Sequence, residues 1–119
     1  MIINTGLPLA GGVRFSSGSY VGTGTTDSGN PTSVDVGFEP KAFFVCQAIQ
    51  NGAAGNTGDF AFWISGAGHL KSPVSNQNFL RPVQVTGTKI SWYVSSMTSY
   101  AAMNQFNVSG STYVWFALG

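Results

Sequence analysis

Thr112-Tyr113-Val114-Trp115-Phe116-Ala117-Leu118 is a run of aromatic and β-branched residues, bounded by Ser109-Gly110-Ser111 before it and Gly119 after it. That composition favours a pleated strand over a helix, and the flanking small residues end it. Side chains alternate across a strand, so Val114, Phe116 and Leu118 share one face and Tyr113, Trp115 and Ala117 the other. Both faces are apolar. A two-layer sandwich has one core, between its sheets, and by itself buries only one of those sets.

The same excess recurs upstream. Lys41 to Ile49 puts Phe43, Val45 and Ile49 on one parity and Ala42, Phe44, Cys46 and Ala48 on the other, as in a strand covered on both faces. Asp59-Phe60-Ala61-Phe62-Trp63-Ile64 is a second strand of this kind. Elsewhere the alternation is simple: Val34, Val36 and Phe38 against Ser33, Asp35 and Gly37, then Ile90, Trp92 and Val94 against Ser91, Tyr93 and Ser95. Val13-Arg14-Phe15 opens the first strand, and Ser19-Tyr20-Val21-Gly22-Thr23 continues the chain past a glycine bend. Val83-Gln84-Val85 runs into the turn Thr86-Gly87-Thr88, and Phe106-Asn107-Val108 leads towards the last strand. Turn and loop chemistry fills Gly22 to Pro31, Glu39-Pro40, Asn51 to Gly58 and the irregular stretch Gly66 to Asn78. No window holds a 3.6-residue period long enough for a helix.

The sequence therefore predicts an all-β chain: a single antiparallel β-sandwich, jelly-roll-like or immunoglobulin-like, of roughly seven to nine strands. It spans residues 1–119 as one domain, with residues 1–12 a candidate extended N-terminal arm. Val36, Phe44, Phe62, Trp92 and Phe116 are the expected core.

Of 119 residues, 43% are hydrophobic and 8% charged, against about 25% charged in an average soluble domain. A net charge of +1 gives no basic surface for nucleic acid or an anionic membrane, and no stretch approaches the ~20 apolar residues of a membrane helix, so neither nucleic acid nor membrane insertion is expected. So few charges protect a small protein poorly against self-association. The single cysteine, Cys46, excludes an internal disulfide and is expected to be a buried, inert thiol. The first residues lack a basic segment followed by a long apolar one, so no secretory signal is read there.

Gly18-Ser19-Tyr20-Val21-Gly22-Thr23-Gly24-Thr25, Asn30-Pro31-Thr32 and Val36-Gly37-Phe38-Glu39-Pro40-Lys41-Ala42-Phe43-Phe44-Val45 form one set of motifs. The ending from Phe106-Asn107-Val108-Ser109-Gly110-Ser111 through Gly119 forms another. Together they resemble a β-sandwich module of tailed-bacteriophage virion proteins, of the tail-fibre, tail-tip or head-surface type. There, a G-x-Y-x-G-x-G strand precedes F-x-P-K and an apolar strand, and the module ends in N-x-S-G-x-T-Y-x-Y-x-A. The middle of this chain, Gly52 to Ser99, takes no part in the likeness. The resemblance implies a virion protein made in the cytoplasm of a bacterial host, in contact with other phage virion proteins. The strands that are apolar on both faces, in a chain with so few charges, predict a homo-oligomer, and analogy to fibres suggests a trimer.

Catalysis is not expected. Asp27, Asp35, Glu39, Asp59, His69 and Cys46 are the whole inventory of carboxylate, imidazole and thiol groups. Asp35 and Glu39 are separated by an apolar segment, too few and too scattered for a metal centre. No Gly-x-Ser-x-Gly turn accompanies His69, and Gly22-Thr23-Gly24 lacks the third glycine and the helix of a nucleotide loop. Ser33-Val34-Asp35-Val36-Gly37 imitates a sialidase-type box but runs into Glu39-Pro40 instead of Thr-Trp. No cofactor is expected.

The aromatics carry the functional reading. Trp and Tyr are favoured at interfaces, so Trp63, Tyr113 and Trp115 are the expected oligomer or virion contacts. Tyr93 and Tyr100, and Trp63 as a third aromatic, with Asn76, Gln77 and Asn78 as polar partners, are the candidate glycan contacts. The expected function is that of a non-enzymatic virion structural protein, a head decoration or tail accessory subunit. The alternative is a carbohydrate-binding receptor-recognition module at a fibre tip.

Overall fold

The computed structural model describes residues 12–48, 60–72, 81–94 and 101–119. Seven strands and one helical turn occur in them: β1 Phe15–Val21, β2 Thr32–Asp35, β3 Ala42–Gln47, β4 Phe60–Ile64, β5 Val83–Thr86, β6 Lys89–Trp92, α1 Ala101–Asn104 and β7 Thr112–Leu118. One sheet has the order β1-β7-β3-β4 and the other β2-β6-β5, every pairing antiparallel. The described residues are thus an antiparallel β-sandwich, as the alternation predicts. The chain passes from one sheet to the other between β1 and β2, β2 and β3, β4 and β5, and β6 and β7, a jelly-roll-like winding.

The three-stranded sheet follows its sequence pattern. Val34, Ile90 and Trp92 are buried, and Val83 and Val85 pack against the same core. Ser33, Asp35, Gln84, Thr86 and Lys89 point outward and are exposed. Gly87, with φ +62, makes the two-residue turn between β5 and β6, the left-handed backbone that such hairpins need.

The four-stranded sheet reverses the expected parity. Phe43, Val45, Ala61, Trp63, Tyr113 and Ala117 are the buried set, and Trp115 packs against them. Phe44, Phe62 and Phe116, expected in the core, lie half-buried on the outer face. Val36 and Trp92, also expected there, are fully buried. The register supplies the reason. Gly18 of β1 pairs with Trp115, and a Cβ on Gly18 would lie 2.7 Å from the indole ring. On the inner face of β1, Ser16 and Gly18 precede Tyr20, and these two small residues give the indole its space. The inner aromatics also place their polar atoms: Trp63 Nε1 donates to Ala67 O at 2.7 Å, and the Tyr113 hydroxyl accepts from Val108 N at 3.0 Å. Buried Tyr and Trp need such partners, whereas phenylalanine needs none.

Three further expectations change. Β1 runs unbroken from Phe15 to Val21 with no bend at Gly18. Cys46 sits on the outer face, half-buried, instead of in the core. Residues 101–104 form a single helical turn, too short for a periodicity to reveal.

Behind that turn lies a buried amide cluster. Gln105 Oε1 accepts from Val94 N at 2.9 Å, while its Nε2 donates to Asn30 O at 2.8 Å and to Thr32 Oγ1 at 3.2 Å. Asn107 Oδ1 accepts from Thr23 N at 2.9 Å, and its Nδ2 donates to Thr25 O at 2.8 Å. The glycine- and threonine-rich loop 22–31 is thereby fixed to the C-terminal half of the chain. Each of these bonds is worth about 1 kcal/mol net, and a buried group left without one costs more.

Candidate functional site

The outer face of the four-stranded sheet is built from the side chains that the exchange of parity expels. Register places them in three rows: Phe15-Leu118-Ala42-Ile64, Ser17-Phe116-Phe44-Phe62 and Ser19-Val114-Cys46-Phe60. No charged residue occurs in these rows. Lys71, bridged to Phe62 beyond β4, is the first charge at that edge.

Aromatic rings run across this face. Phe44 stacks on Phe116 with centroids 4.7 Å apart and on Phe62 at 5.7 Å, and Phe116 stacks on Phe15 at 5.8 Å. Cross-strand aromatic pairs of this kind stabilise a sheet. Even so, Ile64 is 58% exposed, Val114 39% and Phe60 38%. A hollow of about 500 Å³ lies over the face, lined by Phe15, Ser17, Phe44, Cys46, Phe60 and Phe116 among others. Nothing ionic can form on such a surface. It can bury apolar area and stack rings.

Trp63 and Tyr113, expected as contacts, are buried beneath this sheet at 5% and 2% exposure, and Trp115 packs with them. The apolar face they were expected to supply exists, but phenylalanines supply it. Composition did not distinguish the two sets, because both are aromatic.

Tyr93 lies half-buried just past β6, beside a cleft of about 360 Å³ that Ser28, Pro31, Pro82, Gln84 and Ser91 also line. Asn76, Gln77, Asn78 and Tyr100 lie outside the described residues, as do Asp59 and residues 1–11.

Titratable groups do not converge on either place. Among the described residues, no three His, Cys, Asp or Glu side chains stand close enough to hold a metal ion. Asp35 sits at the end of β2, where hydrogen bonds from the Thr88 hydroxyl and then from Gly37 N hold its carboxyl below the usual range. His69 is half-buried and its backbone bridges to Pro82. Glu39 pairs with Lys41 at 3.2 Å, both side chains largely exposed, an ion pair of little energetic weight. Arg81 is buried, donating from Nε to Asn104 O and lying over the Phe106 ring. Among the described residues, no helix is long and apolar enough to cross a membrane.

Compared with known proteins, the chain matches no family model, no curated protein and no solved structure.

Proposed function

We propose that this chain is a non-enzymatic structural subunit of a tailed-bacteriophage particle, a head decoration or tail accessory protein that works by burying one sheet face against protein. The observation that carries the reading is the contrast between the two outer faces. The three-stranded sheet shows water Ser33, Asp35, Gln84, Thr86 and Lys89, while the four-stranded sheet shows it Phe44, Phe60, Phe62, Ile64, Val114 and Phe116. Soluble monomers rarely expose an apolar patch as broad as a whole sheet face, and such patches mark interaction sites. The phage setting rests on the sequence resemblance, whose motifs fall on β1, β2, β3 and β7.

The face needs no chemistry beyond desolvation. Covering a large apolar side chain contributes up to about 1.5–3 kcal/mol, less for rings already half-buried. An antibody raised against the chain tests the setting: it should label purified virions in electron micrographs. Virions that contain none of the chain, by label and by mass spectrometry, overturn it.

The cleft at Tyr93 favours a second reading, a carbohydrate-binding receptor module. An aromatic ring beside Gln84, Ser91 and Ser28 offers a stacking face and uncharged hydrogen-bonding groups to a sugar. Glycan-array binding that Tyr93→Ala abolishes supports that reading, and a blank array removes it.

A further inference from the structure

Building on the proposed structural role, we infer that the partner on the four-stranded sheet is a second copy of this chain, packed face to face about a two-fold axis. The axis runs parallel to the strands and passes between β7 and β3.

Three observations lead there. The first is charge. The face has none in its three rows, so it offers nothing to a partner recognised by its ions, and an uncharged face complements itself without repulsion. Lys71 at the β4 edge then falls on the rim, where interfaces carry their polar groups.

The second is size. Strands about 4.8 Å apart with residues about 3.3 Å long give a four-stranded face of roughly 400 Å² in projection, and roughly 1,000 Å² counted over two copies with side-chain relief. About 1,000 Å² is what a specific interface needs. The whole face is therefore required, which matches an apolar surface running from β1 to β4.

The third is the order of large and small side chains. Such an axis sets β1 against the partner's β4 and β7 against the partner's β3, with each row facing the same row. Ser17 then meets the partner's Phe62, and Ser19 meets the partner's Phe60. Leu118 meets the partner's Ala42, and Val114 meets the partner's Cys46. Small faces large at these four positions, the central Phe44 and Phe116 stack around the axis, and Phe15 meets the partner's Ile64 at the end of the first row. Turning the axis across the strands sets β1 against β1 and β4 against β4. Ser17 would then face the partner's Ser17, and Phe116, Phe44 and Phe62 would each crowd their own copy. Phe60 would crowd the partner's Ile64, and of the two serines only Ser19 would meet a large side chain, the partner's Phe15. Only the first arrangement fills the hollow over Ser17 with the rings of β4. A two-fold interface uses the same patch twice and closes at two copies. The trimer suggested by fibre analogy needs two different contact surfaces, and the other sheet's outer face is polar.

Sedimentation velocity of the full chain over a concentration series tests this. The wild type should run at twice the chain mass of 12.5 kDa. Ser19→Asp and Phe60→Lys should each weaken the dimer at least tenfold, with circular dichroism and unfolding midpoint close to wild type. The double variant should recover to within a few-fold of wild type, because Asp at 19 then faces the partner's Lys at 60. Within one chain the two positions lie at opposite edges of the sheet and cannot pair. A wild type that stays monomeric, or forms trimers, overturns the inference, and so does a folded double variant as weak as the singles. Should the double variant be unstable, Val114→Lys alone must still give monomers, and a dimer unaffected by it overturns the inference equally. A strict monomer that still labels virions shows that the partner is another virion protein and leaves the structural-subunit reading standing. A dimer absent from virions does the reverse.

Discussion

Trp115 packs against Gly18, so close that a Cβ at position 18 would sit 2.7 Å from the indole ring. This one contact sets which side of the four-stranded sheet is the core. It holds the indole on the inner side, and alternation then sends Val114 and Phe116 outward. Phe44, paired with Phe116, and Phe62, paired with Phe44, follow.

Gly18→Ala should therefore cost about 1–3 kcal/mol, the range for forcing an extra methyl into a packed interior. Gly18→Val should cost more. Denaturant unfolding measures both, and an unchanged midpoint for Gly18→Ala would mean that the indole has room elsewhere.

The parity itself predicts unequal truncation costs for phenylalanines on the two faces of neighbouring strands. Phe43, fully buried between Trp92 and Trp115, should cost about 3–5 kcal/mol on replacement by alanine. Phe62→Ala, on the half-buried outer face, should cost the monomer clearly less, about 1–2 kcal/mol. Chemical denaturation at a concentration where the chain is monomeric checks the order, and equal or inverted costs would contradict the assignment.

How far the fold could be read from sequence follows from these residues. β2 and β6 were legible because Val34, Ile90 and Trp92 alternate with Ser33, Lys89 and Ser91, so one face had to be wet. β3, β4 and β7 were legible as strands but not in orientation. Both of their faces are apolar, and the deciding information sits on another strand, in the small Ser16 and Gly18 of β1. The usual preference of Trp and Tyr for interfaces could not separate the two faces, because Trp63 and Tyr113 find internal partners for their polar atoms and lie on the inner one. The apolar outer face was legible as an excess, while the residues composing it were not. The Gln105–Asn107 cluster was missed because amides in a turn-rich stretch read as surface loop. Their one signal was position, on either side of Phe106 in a chain with few charges.

That cluster makes its own prediction. Gln105→Ala leaves the buried Val94 N without its partner and takes a donor from Asn30 O and Thr32 Oγ1, and an unpaired buried group costs about 1–3 kcal/mol. The variant should lose about 3 kcal/mol and should exchange the amide hydrogens around residues 23–32 faster. Hydrogen exchange that speeds up evenly over the whole chain, with none of the excess at that loop, would contradict a local pinning role.

Alkaline pH tests the buried phenols. Burial pushes the Tyr20 hydroxyl far above its ordinary value, and the neighbouring Tyr113 adds to the shift. Burial raises Tyr113 as well. A raised folded-state value means that this stability is complete below the unfolded value of about 10 and drains away as pH climbs beyond it. Tyr20→Phe loses the hydrogen bond to Phe106 O, 2.7 Å long in the wild type, so it should be about 1 kcal/mol less stable at neutral pH. Its decline between about pH 10 and 12 should be shallower. Parallel declines in the two proteins would show that Tyr20 ionises freely in the fold.

The proposed covering of the outer face is tested most directly by the alkylation rate of Cys46, the chain's one thiol, which lies in the row between Val114 and Phe60. The rate with a small maleimide should be measured over a dilution series at fixed pH, beside the rate for Val114→Lys. The face-to-face account predicts strong protection at high concentration, release on dilution as dimers dissociate, and a fast, concentration-independent rate in the variant. A wild-type rate as fast as the variant's at every concentration would contradict it.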